Sequence, residues 1–321
     1  MGEPTAKTAN QTDDDHSASA QRSSGSRATL ATSGTSGSSG GSGTGEPGLA
    51  RTLLERLRTP RQPKFWFEIL LIGVSYWLYS QIRNAVPEQK ETALRHAADI
   101  WSFEHHLGLA FERSVNHTMD SVTWLIVGMN YYYATLHFFI TIGVLVWLYL
   151  YHPSRYGPAR LVLFVTTWVA LIGFWAYPLA PPRLMAGGGF IDTVLVHHTW
   201  GSLSQGSLAK VSNQYAAMPS MHIGWSLWCG ITVISLAKPL WARILGGLYP
   251  VFTLLVIVST GNHFWMDAVG GAVCLAFGFG LVCLIYGRWV YALPKFATGA
   301  LILEDKAGDG GAIVRGRKLR S

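Results

Sequence analysis

Apolar residues gather in this chain into blocks of about 20, separated by short polar connections, rather than alternating with polar ones. A helix crossing the bilayer hydrocarbon needs about 20 mostly apolar residues, and a spanning strand about half as many. The pattern therefore predicts an all-α membrane protein built as a bundle of six transmembrane helices, not a barrel. The spans fall at about Phe65–Ser80, Tyr131–Tyr151, Leu161–Leu179, Pro219–Leu236, Ile244–Ser259 and Phe264–Tyr286. The run Val122–Leu150 is too long for one simple span. Asn130 divides it, so a short interfacial piece is expected before the second helix. Between the first two spans, Ile100, Phe103, Leu107 and Phe111 share one helical face of His96–Arg113, the pattern of a helix lying at the membrane surface.

Composition changes this picture mainly at the ends. Ser23–Gly45 is almost entirely Ser, Gly, Thr and Ala, and such a stretch cannot bury enough apolar surface to offset its ordering entropy. Residues 1–50 are read as a disordered cytoplasmic tail without the features of a signal peptide, 51–293 as the six-helix membrane domain, and 294–321 as a basic tail. From Ser121 to Leu303 the only acidic residues are Asp192 and Asp267, too few to cover a soluble domain of that size. Cys229, Cys274 and Cys283 lie in apolar runs and give neither a disulfide framework nor metal-ligand spacing.

Charge sets the orientation. Of the 25 Lys and Arg residues, only Arg83, Lys90, Arg95, Arg113, Arg183 and Lys210 fall on one side of the six-span arrangement. The other side, with both termini, is the expected cytoplasm. The basic tails lack stacking aromatics or a nucleic-acid fold motif, so no nucleic acid is expected as a partner. Attraction to membrane lipid head groups is the secondary effect expected of them.

Three polar clusters then meet on the extracytoplasmic side. Pro178-Leu-Ala-Pro-Pro-Arg183-Leu follows the third span, Ala217-Met-Pro-Ser220-Met-His222 opens the fourth, and Thr260-Gly-Asn262-His263-Phe-Trp-Met-Asp267 opens the sixth. An ionisable residue inside a span is costly, which makes Asp267 a functional candidate. His263 precedes it by one helical turn, so the two share a face. The carboxylate can hold one ring nitrogen and leave the other free as a nucleophile; a structural pair joining helices is the equal alternative. Ser220 and His222 open a helix whose first residue is expected to be Pro219, where free peptide N–H groups favour an anion. An interfacial histidine and a snorkelling Arg183 are the plainer readings of His222 and Arg183. His137, in the second span, is either a satisfied core histidine or part of a pocket. Asp192 either pairs with Arg183 or contacts an acceptor. His105, His106, His197 and His198 read as surface loop residues. Asn116-His-Thr is a formal glycosylation acceptor.

With these residues in hand, the chain resembles the type 2 phosphatidic acid phosphatase superfamily over roughly Phe65 to Arg288, through Ala-Met-Pro-Ser-Met-His and Gly-Asn-His-Phe-Trp-Met-Asp. It is most similar to the branch of inositol phosphorylceramide synthase and its bacterial relatives. That branch is matched also by Ala-Pro-Pro-Arg-Leu, by Gly189-Phe-Ile-Asp192-Thr and by Asn130-Tyr-Tyr-Tyr through His137. The resemblance implies a phosphohistidine mechanism without metal or cofactor, in a bacterial cell membrane. His263 attacks phosphorus, Asp267 orients it, His222 protonates the leaving group, and Arg183, Ser220 and Asn262 hold phosphate. The donor would be a phospholipid or a polyprenyl-phosphate-type lipid, and the acceptor an alcohol or water. The superfamily's usual lysine before the first-motif arginine is here Ala176, the proline after it is Leu184, and the arginine before the third-motif histidine is Ile257. With two cations fewer, a singly charged diester fits better than a dianionic monoester. The chain is therefore expected to be an inositolphosphotransferase-like head-group transferase, with a lipid phosphate phosphatase as the alternative and a non-catalytic lipid-binding or transport protein as the second. A metal site from His222, His263 and Asp267 is the chemical rival.

Overall fold

The computed structural model describes residues 64–85, 89–199 and 214–292. The tail over 1–50, the basic residues from Arg51 to Arg61, Lys210 and the carboxy-terminal basic segment lie outside them. The described residues form helices and no named strand. In chain order these are α1 (Phe65–Ala85), α2 (Lys90–His106), α3 (Glu112–Asp120), α4 (Thr123–Tyr131), α5 (His137–Tyr151), α6 (Pro153–Ala176), the single turn α7 (Thr193–Val196), α8 (Met221–Leu236), α9 (Leu240–Ser259) and α10 (Trp265–Tyr286).

Among the described residues, four helical stretches are long and apolar enough to cross a membrane: Thr123–Tyr151, Pro153–Ala176, Leu240–Ser259 and Trp265–Ala292. Helix α8 is apolar but has only 16 residues, and α1, with 21 residues, carries Glu68 in its first turn. Large side chains such as Ile142, Leu150, Leu248, Val251, Val273 and Leu284 point outward, more than half exposed. Contiguous apolar surface of this kind suits lipid contact and not water.

Two expectations change. Asn130 does not break the helix. A π turn, Tyr132–Leu136, joins α4 to α5, so the stretch from Thr123 to Tyr151 is one helical element of 29 residues. The Asn130 amide finds its partners outside that helix: it donates to the Thr193 carbonyl at 3.1 Å and accepts from the Thr193 hydroxyl at 2.9 Å. The surface helix expected over His96–Arg113 is instead two helices. Gly108, at φ +69, takes the left-handed turn after α2. The large apolar residues Phe103, Leu107 and Phe111 are exposed, while Ala93, Ala97 and Glu104 form the buried face of α2.

Prolines and glycines punctuate the bundle. His152 leaves helical geometry just before Pro153, and Gly287 closes α10 at φ +70. One core lies between α5, α6, α8 and α10, around Leu148, Val162, Trp228 and Val282. The Trp228 indole there donates to the Ala159 carbonyl at 2.9 Å. A second cluster, at the end carrying the motifs, gathers Ala93 and Ala97 of α2 with Leu179, Ala180, Ala217 and Phe264. The Leu179 N–H donates to Tyr215 and the Ala217 N–H to Leu179, at 2.8 and 3.1 Å, which joins the first motif to the second.

Candidate active site

The three polar clusters come together through backbone bonds. The Ser220 N–H donates to the Asp267 carbonyl at 2.9 Å, and the Arg183 N–H to the Gly261 carbonyl at 3.0 Å. Gly271 permits the first contact: a Cβ there would lie 2.2 Å from the Ser220 oxygen. Gly261 permits the second, turning the chain at φ +65 between Ser259 and the histidine motif.

His263 and Asp267 form the pair that their spacing predicts. His263 Nδ1–H donates to Asp267 Oδ2 at 3.0 Å, and the Phe264 N–H donates to the same oxygen at 3.1 Å. Asp267 has no exposed surface and His263 is 5% exposed. The outer nitrogen, His263 Nε2, is buried and has no hydrogen-bond partner. A histidine held at Nδ1 with a bare Nε2 is fixed in the tautomer that presents a lone pair.

His222, second residue of α8, faces His263 with ring centroids 5.6 Å apart. The Tyr133 ring stacks on it at 4.1 Å and 19°, and the His222 Nε2–H points at the Tyr133 carbonyl at 3.3 Å. His137, four residues further along the same helical stretch, lies with its ring centroid 4.2 Å from that of His222 and is itself 4% exposed. Tyr133 belongs to the π turn, a feature that recurs at functional sites. Its place under His222 was not read from the sequence, where Tyr133 figures only within the stretch Asn130-Tyr-Tyr-Tyr through His137.

Arg183 sits on the 3₁₀ turn Pro182–Leu184. Its Nε–H donates to Asn262 Oδ1 at 2.9 Å and its Nη1–H to Asp192 Oδ2 at 3.1 Å. Asn262 also donates to the Thr260 hydroxyl at 2.9 Å, so both ends of its amide are bonded within the protein. Asp192 forms the ion pair with Arg183 that their closeness suggests, and its other oxygen caps α7 through the Leu195 N–H. Ser220 is the residue before α8, not within it; its hydroxyl is fully buried and has no protein partner.

Other polar residues of this end are structural. Asn116 has no exposed surface; its amide donates to the Ser259 and Ile191 carbonyls and accepts from the Ile191 N–H. It is therefore not a glycan acceptor in the folded chain. His197 is not a loose loop residue, because it bonds Asp120 at 2.8 Å. His105 and His106 are exposed on the last turn of α2. The sequence reading passed over Glu104 and Glu112, which are completely buried and accept from the first N–H groups of α10. Among the described residues, no group of three or more His, Cys, Asp or Glu side chains is arranged to hold a metal ion.

A comparison with curated proteins and another with solved structures each found no match. A comparison with protein-family models found one that matches residues 98–281, a stretch containing all three motifs and both buried glutamates of α2 and α3. The chain belongs to the PAP2 superfamily, whose members act on lipid phosphates.

Proposed function

We propose that this protein is a six-span membrane phosphotransferase that moves a phosphate-bearing lipid head group to an alcohol at the extracytoplasmic face, through phosphohistidine and without metal. The observation that carries the reading is His263, clamped at Nδ1 by Asp267 and bare at Nε2, with a second histidine 5.6 Å away. The Nε2 lone pair attacks phosphorus while the bond to the leaving alkoxide breaks, and protonated His222 gives that alkoxide its proton. An acceptor hydroxyl then attacks phosphorus, neutral His222 takes its proton, and the phosphorus–nitrogen bond breaks.

The choice of a diester rests on charge. Arg183 is the cation of the site, with the first-turn N–H groups of α8 beside His222 as further donors. Where relatives carry a third-motif arginine, Ile257 is fully buried among Ile223, Val258 and Ala268. Phosphoryl transfer depends mainly on positioning and charge stabilisation, so fewer cations favour a substrate of lower charge. Asn262 and Asp192 fit the role of fixing the guanidinium in place. Ser220, buried and unpartnered, fits contact with a phosphate oxygen. Hydrolysis of a lipid phosphate monoester is the second reading, favoured by the family, which usually acts as phosphatases.

The test is purified protein in detergent with chelator, given phosphatidylinositol, phosphatidic acid and an alcohol mixture, and followed by phosphorus NMR. New phosphodiester with release of diacylglycerol, lost in His263→Ala, is the expected result. Free phosphate from phosphatidic acid, lost in the same variant, would replace transfer by hydrolysis.

A further inference from the structure

Two carboxyl groups from outside the three motifs meet over the first turn of α10. Glu104 comes from α2 and Glu112 from α3, and neither has exposed surface. The Met266 N–H donates to Glu104 Oε1 at 3.2 Å, and the Trp265 N–H to Glu112 Oε1 at 3.3 Å. These are the first two peptide groups of α10, which have no partner within their own helix. The Trp265 indole adds a bond to the Leu109 carbonyl, at 3.1 Å, in the link between α2 and α3.

The second oxygens explain how two acids share this space. Glu104 Oε2 and Glu112 Oε2 are both buried without a hydrogen-bond donor, and the two carboxyl groups, held on neighbouring peptide groups of the same helical turn, interact with each other. Two buried carboxylates this close would repel each other if both were ionised, and one proton between them removes that repulsion. Neither has a salt-bridge partner among the described residues. Burial pushes the Glu104 carboxyl up to about 9, the Glu112 hydrogen bond and charge add to this, the Met266 N–H opposes it, and Asp267 adds a further push. Other titratable groups nearby lie against other partners. The His105 ring bonds the Trp101 carbonyl, Arg113 lies beside Gly189, and His263 bonds Asp267.

We propose that Glu104 and Glu112 form a carboxylic acid–carboxylate clamp sharing one proton, and that this clamp positions the start of α10 and with it the His263–Asp267 pair. Trp265 and Met266 are two of the three residues between that histidine and that aspartate, so whatever holds their N–H groups sets the geometry of the nucleophile. Loss of the shared proton would bury two like charges against each other and beside Asp267, and would remove the bond that joins α2 to α3. The inference rests on His263 as nucleophile for its catalytic consequence, but not for the shared proton.

The experiment compares wild type, Glu104→Gln and Glu104→Ala as full-length protein in detergent, by melting temperature from pH 5 to 10 and by turnover across the same range. Glutamine keeps an acceptor for Met266 and a permanent donor for Glu112, so it copies the protonated acid. The folded protein holds a proton on Glu104 between its usual value of 4.5 and about 9, where the unfolded chain does not. Wild-type melting temperature should therefore fall with pH across that window, and Glu104→Gln should lack that part of the fall. At pH 7 Glu104→Gln should keep kcat within about threefold, while Glu104→Ala should lose about 100-fold in kcat with little change in KM. The alkaline decline of wild-type turnover near pH 9 should move or vanish in Glu104→Gln. Equal melting trends in wild type and Glu104→Gln would overturn the clamp, as would a folded Glu104→Gln as inactive as Glu104→Ala. A wild type without turnover on any lipid would count against the function proposed above, and the melting comparison would still decide the shared proton.

Discussion

Glu68 and Asp267 are each a carboxylate in the first turn of a long helix, one on α1 and the other on α10. Glu68 Oε2 takes the Arg160 guanidinium and, at 3.1 Å, the Tyr156 hydroxyl. Arg160 in turn lies over the Tyr156 and Phe164 rings at 5.5 and 5.7 Å. Charge meets charge and aromatic faces enclose the cation. Asp267 meets a histidine ring whose other nitrogen has no partner, and its own Oδ1 has none. The difference teaches where to look for chemistry. A buried carboxylate with its counter-ion enclosed joins helices, whereas one whose partner is left with an unused lone pair is set up for reaction. The Glu104–Glu112 pair is a third solution, in which a proton does the work that Arg160 does for Glu68.

Substitutions at the two carboxylates should separate them. The largest effect is expected for Asp267→Asn, which no longer fixes the His263 tautomer. Turnover should drop about 10³-fold while melting temperature changes little. Unfolding in place of inactivation would make Asp267 a structural residue like Glu68. Glu68→Gln should do the reverse. Leaving Arg160 buried without its counter-ion costs about 3 kcal/mol, read as lowered thermal stability, with kcat within about threefold of wild type. Lost turnover in a stable Glu68→Gln protein would erase the contrast. The smallest effect, none, is expected of a chelator. Turnover that disappears with EDTA and returns with a divalent ion would show that the His263–Asp267 geometry is incomplete as written.

Local pattern revealed much of the site. The four long apolar helices, the i, i+4 relation of His263 and Asp267, and the nearness of Arg183 to Asp192 follow from helical period or short separation, and the structure contains all of them. Pattern fell short where a polar side chain is buried. Phe103, Leu107 and Phe111 are exposed, and Glu104, which the pattern gave no reason to bury, takes the inward position. Asn130 looked like a break and is a cross-link to Thr193. Asn116 looked like a surface sequon and is a buried cross-link between α3, the Ile191 loop and the end of α9.

The sequence alone determined the helical, membrane-embedded class, the order of the three motifs and the histidine–aspartate pair, because hydrophobic blocks and helical spacing are properties of neighbouring residues. Only the tertiary structure decided what stands against them: Tyr133 under His222, Asn262 beside Arg183, Arg160 on Glu68, and two glutamates over the start of α10. These partners lie up to 162 positions apart in the chain. A buried polar group is stable only where its counterpart arrives, and that arrival is set by packing between helices, which local pattern does not encode.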